Sequence, residues 1–171
     1  THIKENFYWR IGMIHMKWAE YDKAIEGFKN ALKINDEKDN LWWNVQYNKR
    51  LGLVYYFMEK YDKASEHYLQ AYLDSKQIEG NIETIMSLCF HAYTEELRGN
   101  SQTALDEITE CSEWVKQNPD DINSDDRALE TYRPLYMYYN LKNDPIKTKE
   151  YLKLAYEIVG KDKIEKYHQH P

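Results

Sequence analysis

Ala19-Glu20-Tyr21-Asp22-Lys23-Ala24-Ile25-Glu26-Gly27-Phe28 is answered 40 positions later by Glu59-Lys60-Tyr61-Asp62-Lys63-Ala64-Ser65-Glu66-His67-Tyr68. Both copies read Tyr-Asp-Lys-Ala, then an aromatic four residues after the alanine, then a second alanine (Ala31 or Ala71) three residues further. A third step of 40 lands on Ala104, followed by Ile108 and Cys111 at the two later positions. A weaker fourth copy lies 44 residues on, in Asn143-Asp144-Pro145-Ile146-Lys147-Thr148, followed by Leu152 and Ala155. A recurrence of this length marks stacked supersecondary units, none of which can bury its apolar face alone.

Each copy has the same plan. Tyr8, Ile11, Gly12 and His15, and then Asn48, Leu51, Gly52 and Tyr55, stand three and four apart, the spacing of one helix face. A short polar turn leads into a second helix. Asp22, Asp62 and Pro145 sit in its first turn, where a carboxylate meets the positive end of the helix dipole and a proline loses no needed hydrogen bond. The alanines and the aromatic then stripe that helix at i, i+4 and i+7, so small residues admit a close neighbour and the ring fills the gap one turn along. Eight helices follow, near 4–18, 22–34, 39–58, 61–77, 81–98, 101–116, 125–142 and 145–159. Gly80 and Gly160 suit the position after a helix end. Pro134 predicts a kink or a late start in the seventh helix. The longest break is 118–126, and residues 161–171 form a tail or the start of a capping helix.

These positions resemble the tetratricopeptide repeat. The likeness rests on Gly12, Ala24, Phe28 and Ala31; on Gly52, Ala64, Tyr68 and Ala71; on Ala92, Ala104, Ile108 and Cys111; and, most degenerately, on Tyr136, Thr148, Leu152 and Ala155. The period of 40–44 exceeds the family's usual 34, and the proline that closes a repeat is missing after the first two copies. Longer helices account for the extra residues, as in the long-repeat arrays of kinesin light chains, spindle-orientation adaptors and peptide-sensing regulators of Gram-positive bacteria. The resemblance implies an all-α, right-handed α-solenoid of four helix–turn–helix hairpins over 1–160, with repeats near 4–36, 39–78, 81–118 and 125–159.

Composition excludes other classes. The chain has 171 residues, 23 Lys+Arg against 29 Asp+Glu, and a net charge of −6. With 42% hydrophobic and 15% aromatic residues it is too rich for disorder. Its mean hydropathy of −0.88 understates this, because the 16 tyrosines count as polar although each ring can bury an apolar face. Six Gly and four Pro are too few for an all-β chain. The longest apolar run, Leu53 to Met58, is far short of the roughly 20 residues a bilayer requires, so no membrane is expected. The first residue is Thr1 rather than Met, which reads as a piece of a longer chain. Cys89 and Cys111 read as buried or half-buried free thiols, and a cytoplasmic setting follows from them only weakly.

Nothing in the sequence carries chemistry. There is no phosphate loop, nucleophile elbow or His-Glu-x-x-His. His91 lies off the face of Cys89 and reads as a packed histidine, and His168 and His170 lack partners for a metal. Asp120, Asp121, Asp125 and Asp126, with Glu107, Glu110 and Glu113, read as a solvated face; the loop lacks the spaced ligands and glycine of a calcium site. The expectation is a non-catalytic chain with no cofactor and no metal.

The resemblance instead implies binding by first-helix residues on a concave surface. The family's groove positions correspond to Trp9, Met13 and Met16; Lys49, Leu53 and Tyr56; Cys89, Tyr93 and Glu96; and Arg133, Met137 and Asn140, with Arg50 beside Lys49. Aromatic and Arg anchors with adaptable Met would suit a protein or peptide carrying an acidic group and apolar anchors. Asn6, Lys49 and Arg50 match the carboxylate clamp for chaperone C-termini only in part, so that ligand is not expected. One alternative is a sensor or regulatory segment of a larger signalling or transcription-regulating protein. A remote one is single-stranded RNA binding, which the acidic charge opposes. Exposed end helices, with Phe7, Tyr8 and the Tyr136–Tyr139 cluster, are candidates for a homodimer contact.

Overall fold

The computed structural model describes residues 2–36, 40–78 and 81–160. Gly80, the tail 161–171 and its His168 and His170 lie outside the described residues. The secondary structure of the described residues is helical, in eight α-helices: α1 (His2–Lys17), α2 (Tyr21–Asp36), α3 (Leu41–Phe57), α4 (Tyr61–Ser75), α5 (Asn81–Leu97), α6 (Ser101–Gln117), α7 (Asp125–Leu141) and α8 (Pro145–Val159). Each lies within three residues of the span read from the periodicity. None is long and apolar enough to cross a membrane. The chain divides into two compact units, Thr1–Ser87 and Leu88–Pro171, and the division falls inside α5.

The four hairpin turns are built alike. In each, a residue with positive φ follows the first helix: Ala19 (56°), Glu59 (56°), Gly99 (86°) and Asn143 (55°). The next residue's N–H then reaches back five positions to a helix carbonyl, Glu20 to His15, Lys60 to Tyr55, Asn100 to Glu95 and Asp144 to Tyr139, each at 2.9 Å. This Schellman pattern satisfies carbonyls that the helix end would leave bare. The spacing of these left-handed residues repeats the 40, 40 and 44 of the sequence. Gly and Asn accept that conformation readily, whereas Ala19 and Glu59 carry a Cβ that costs about 1 kcal/mol there. Glu59→Gly and Ala19→Gly are therefore expected to stabilise the protein by up to about 1 kcal/mol each, read as a higher urea midpoint. An unchanged or lower midpoint in both would count against the turn geometry.

In the first unit α1 packs on α2, α3 on α4, and α2 on α3. Ala24, Phe28, Ala31, Leu51, Val54, Ala64, Tyr68 and Ala71 are at most 1% exposed, so the signature residues are the core. The closest approach is glycine on helix: a Cβ at Gly27 would stand 2.8 Å from the Gly12 amide nitrogen and 3.0 Å from the Tyr8 carbonyl oxygen. A Cβ at Gly12 would stand 2.7 Å from the Phe28 ring, and one at Gly52 2.9 Å from the Tyr68 ring. Gly12 and Gly52 are thus where each second-helix aromatic lies on the first helix.

In the second unit α7 packs on α8 and α6 on α7. Ala92, Ala104, Ile108, Cys111 and Ala155 are sealed from solvent, while Thr148 and Leu152 are only half-buried. Tyr151, one position before the expected Leu152, is buried in its stead and stacks on Tyr139 at 5.6 Å and 7°. The fourth copy is degenerate because its filler has moved by one residue.

Two further expectations are corrected. α7 begins at Asp125, where the Ser124 hydroxyl accepts from the Arg127 N–H, and continues through Pro134. The late start is not taken, since packing of Thr131, Tyr132, Leu135, Tyr136, Tyr138 and Tyr139 holds that helix on both sides of the proline. For the same reason Tyr136, Tyr138 and Tyr139 are buried and offer no surface for self-association. On α1, by contrast, Ile3, Phe7 and Ile14 are exposed at spacings of one helix face, and Trp18 in the turn just beyond it is exposed as well.

Candidate functional site

Trp9 is the centre of the first unit's candidate surface. Its ring lies 5.5 Å from Phe28 and 5.5 Å from Tyr47, and 6.2 Å edge-on from Trp43. Trp43 in turn stacks on Tyr47 at 5.6 Å. The Arg50 guanidinium stands 5.9 Å from the Trp9 ring centroid, within the range of a cation–π contact. This joins α1 to α3, so one residue from each of two first helices meets at a half-buried point. Beneath it the Tyr47 hydroxyl donates to Glu5 Oε1 at 2.7 Å. Burial, and secondarily that carboxylate, push the Tyr47 phenol well above its ordinary pKa.

Met13 and Met16 are half-buried against the cluster of Ala24, Phe28, Leu51 and Val54. Leu53 and Tyr56 are also half-buried, and Tyr56 leans on Phe57 at 5.6 Å and Tyr61 at 6.1 Å. Trp9, Arg50, Met13, Met16, Leu53 and Tyr56 are each half-buried, in part against the fold. Lys49 departs from expectation. It is 5% exposed, and its Nζ donates to Glu83 Oε2 at 2.9 Å. Gln46 Nε2 donates to the same oxygen at 3.0 Å. The groove position of this lysine is thus engaged by a carboxylate 34 residues on.

In the second unit Cys89 is fully buried and does not line an open surface. Both Cys89 and Cys111 are buried and free. Burial, chiefly, pushes the Cys111 thiol up, which leaves it protonated and unreactive. Tyr93 is buried as well, at 8% exposure, while Arg133 and Met137 are half-buried and Asn140 is exposed. Glu96 Oε1 accepts from Lys142 at 3.1 Å and from Ser101 at 3.1 Å.

His91 is a packed histidine, as its spacing from Cys89 implies. Its Nδ1 lies 2.7 Å from Glu107 Oε2, and its Nε2 3.7 Å from Glu95 Oε1. Glu95 is also bound by Arg98 and by Asn100 Nδ2. Glu107 is thus part of an internal network, unlike the exposed Glu110, Glu113, Asp120, Asp121 and Asp126. The carboxylates gathered around Lys49 and His91 escaped sequence reasoning. The one available signal was a charged or titratable residue on a helix face otherwise filled by Val, Leu, Ala and Tyr.

A family model for the tetratricopeptide repeat matches residues 5–38 and 46–73, the regions of the first two hairpins. No curated protein matches the chain.

Proposed function

We propose that the chain, whose residues 5–38 and 46–73 match the tetratricopeptide repeat, a family whose repeats are in general protein-interaction scaffolds, is a non-catalytic binding module for a peptide or protein segment. The contact between Arg50 and Trp9 carries this reading. It places a cation and an indole at one half-open point where two first helices meet. Met13, Met16, Leu53 and Tyr56 extend it with adaptable apolar surface. A ligand with an acidic group near one or two apolar anchors meets this chemistry: the carboxylate faces Arg50, and the anchors lie on Met13 and Leu53. In the second unit Arg133, Met137 and Asn140 are the corresponding accessible residues, and Cys89 and Tyr93 are left out.

A peptide array probed with the intact chain is expected to yield ligands whose binding weakens at least tenfold on Arg50→Ala or Trp9→Phe. Trp9→Phe retains a ring in the core, so a loss there reports the ligand rather than folding. Binding that persists through both changes overturns the groove. Because helical-repeat segments also gate attached domains, the same ligand screen applies whether the array stands alone or regulates a larger protein.

A further inference from the structure

A cationic cluster lies on the second helices of the first unit, outside the first-helix positions of the proposed groove. Lys29 of α2 and Lys63 of α4 both reach Tyr55 of α3, with their ammonium nitrogens 5.9 Å and 5.4 Å from its ring centroid. His67, one turn beyond Lys63 on α4, stacks on the same ring at 5.4 Å and 7°. Its Nδ1 lies 2.9 Å from Asn48 Oδ1; since that oxygen can only accept, Nδ1 carries the hydrogen and donates. In the neutral imidazole Nε2 is then the bare nitrogen. Tyr55 is buried, His67 is half-buried, and both lysines are exposed. Among the described residues, no carboxylate forms an ion pair with Lys29 or Lys63. Three cationic or protonatable side chains from two hairpins thus share one aromatic platform in a protein of net charge −6.

We propose that Lys29, Lys63 and His67 form a binding site for a single tetrahedral oxyanion, a phosphate monoester or inorganic phosphate. The lysines act as point charges on the anion. His67 is turned by Asn48 so that Nε2 supplies a third donor once protonated. Without an anion that proton is disfavoured: burial first, then the positive charges of Lys29 and Lys63, hold His67 down to about 4. The groups facing the imidazole are Lys29 from α2, Lys63 from its own α4, and the neutral Tyr55 and Asn48 from α3. A dianion between the lysines reverses their field, so phosphate binding and His67 protonation reinforce each other. The acidic protein disfavours a polyanion backbone, which leaves an isolated phosphate as the occupant. The site is independent of the first-helix groove.

The test follows the His67 imidazole resonances of the full chain by NMR at pH 6.5, with inorganic phosphate titrated against chloride at matched ionic strength. The expected result is a saturable shift toward the imidazolium form. It should weaken at least fivefold in Lys29→Met and in Lys63→Met, both surface changes that leave the fold intact. A phosphoserine peptide that saturates at lower concentration than inorganic phosphate assigns the site to a phosphorylated partner; the reverse order assigns it to free phosphate. The proposal is overturned if phosphate moves His67 no more than chloride does, or if the double lysine variant responds like the wild type. It is also overturned if oligouridylate outcompetes both phosphates. Loss of peptide binding at Arg50 leaves this readout unaffected, so the two sites fail separately.

Discussion

Gly27→Val is expected to cost residues 1–87 about 3 kcal/mol, and Gly27→Ala about 2 kcal/mol. The sign is opposite to helix propensity, by which alanine in mid-helix gains about 1 kcal/mol over glycine. The reason is what the new methyl would meet. It would stand 2.8 Å from the nitrogen and 2.9 Å from the α-carbon of Gly12, and 3.0 Å from the Tyr8 carbonyl. Backbone held in a helix cannot rotate aside, so α1 and α2 must separate along their contact. At Gly12 the obstacle is instead the Phe28 ring, which can tilt, and Gly12→Ala is expected to cost less than Gly27→Ala. Four of the five tryptophans, at 9, 18, 42 and 43, lie in the first unit, so a urea titration read by indole emission reports on this hairpin. A Gly27→Ala midpoint at or above that of the parent would show that the helices are not in contact there.

Glu83→Ala is expected to cost about 3 kcal/mol, while Lys49→Met costs less than about 1 kcal/mol and Lys49→Met with Glu83→Leu returns close to the parent. The asymmetry comes from burial. Lys49 is 5% exposed and its ammonium lies 2.9 Å from a carboxylate oxygen of Glu83, which is 18% exposed. Removing the carboxylate leaves an ammonium away from water without its Glu83 contact, and Gln46 loses that acceptor too. Removing the lysine leaves Glu83 with solvent access and with Gln46 still donating. Replacing both exchanges an ion pair for apolar packing, which buried sites tolerate well. Denaturant midpoints of the three variants decide it: a Glu83→Ala cost below that of Lys49→Met would mean that Lys49 reaches water in the native protein. The same result would restore Lys49 to the groove.

The proposed groove positions were legible from the repeat, but which of them are accessible was not. Trp9, Met13, Met16, Leu53 and Tyr56 stand near Gly12 and Gly52 on the first helices, at positions that the family resemblance assigns to a groove. Their half-burial follows from that position, because one flank of each packs on the second helix. Lys49 and Cys89 hold equivalent positions in the period, yet Glu83 accepts from Lys49 and Cys89 is sealed from solvent. Position in a repeat specifies the direction in which a side chain leaves its helix. It does not specify what arrives from a helix 34 residues away. The cluster around Tyr55 escaped for the same reason, since Lys29, Tyr55, Lys63 and His67 belong to three helices and no local pattern joins them.

The amino-acid order by itself determined the eight helices, their hairpin pairing and the four turns. Those features are local: apolar period, small residues at close approaches and a short polar turn; the left-handed residue in each turn emerged only from the structure. The fourth copy shows the limit of that information, since Tyr151 rather than Leu152 fills its core. A helix can rotate by a fraction of a turn to bury the larger ring, and only its packing partners decide which residue wins. Tertiary structure alone decided which charges are open to a ligand. The free energy of a buried lysine, a stacked histidine or a buried thiol depends on groups brought together from distant parts of the chain, and no spacing within one helix encodes them.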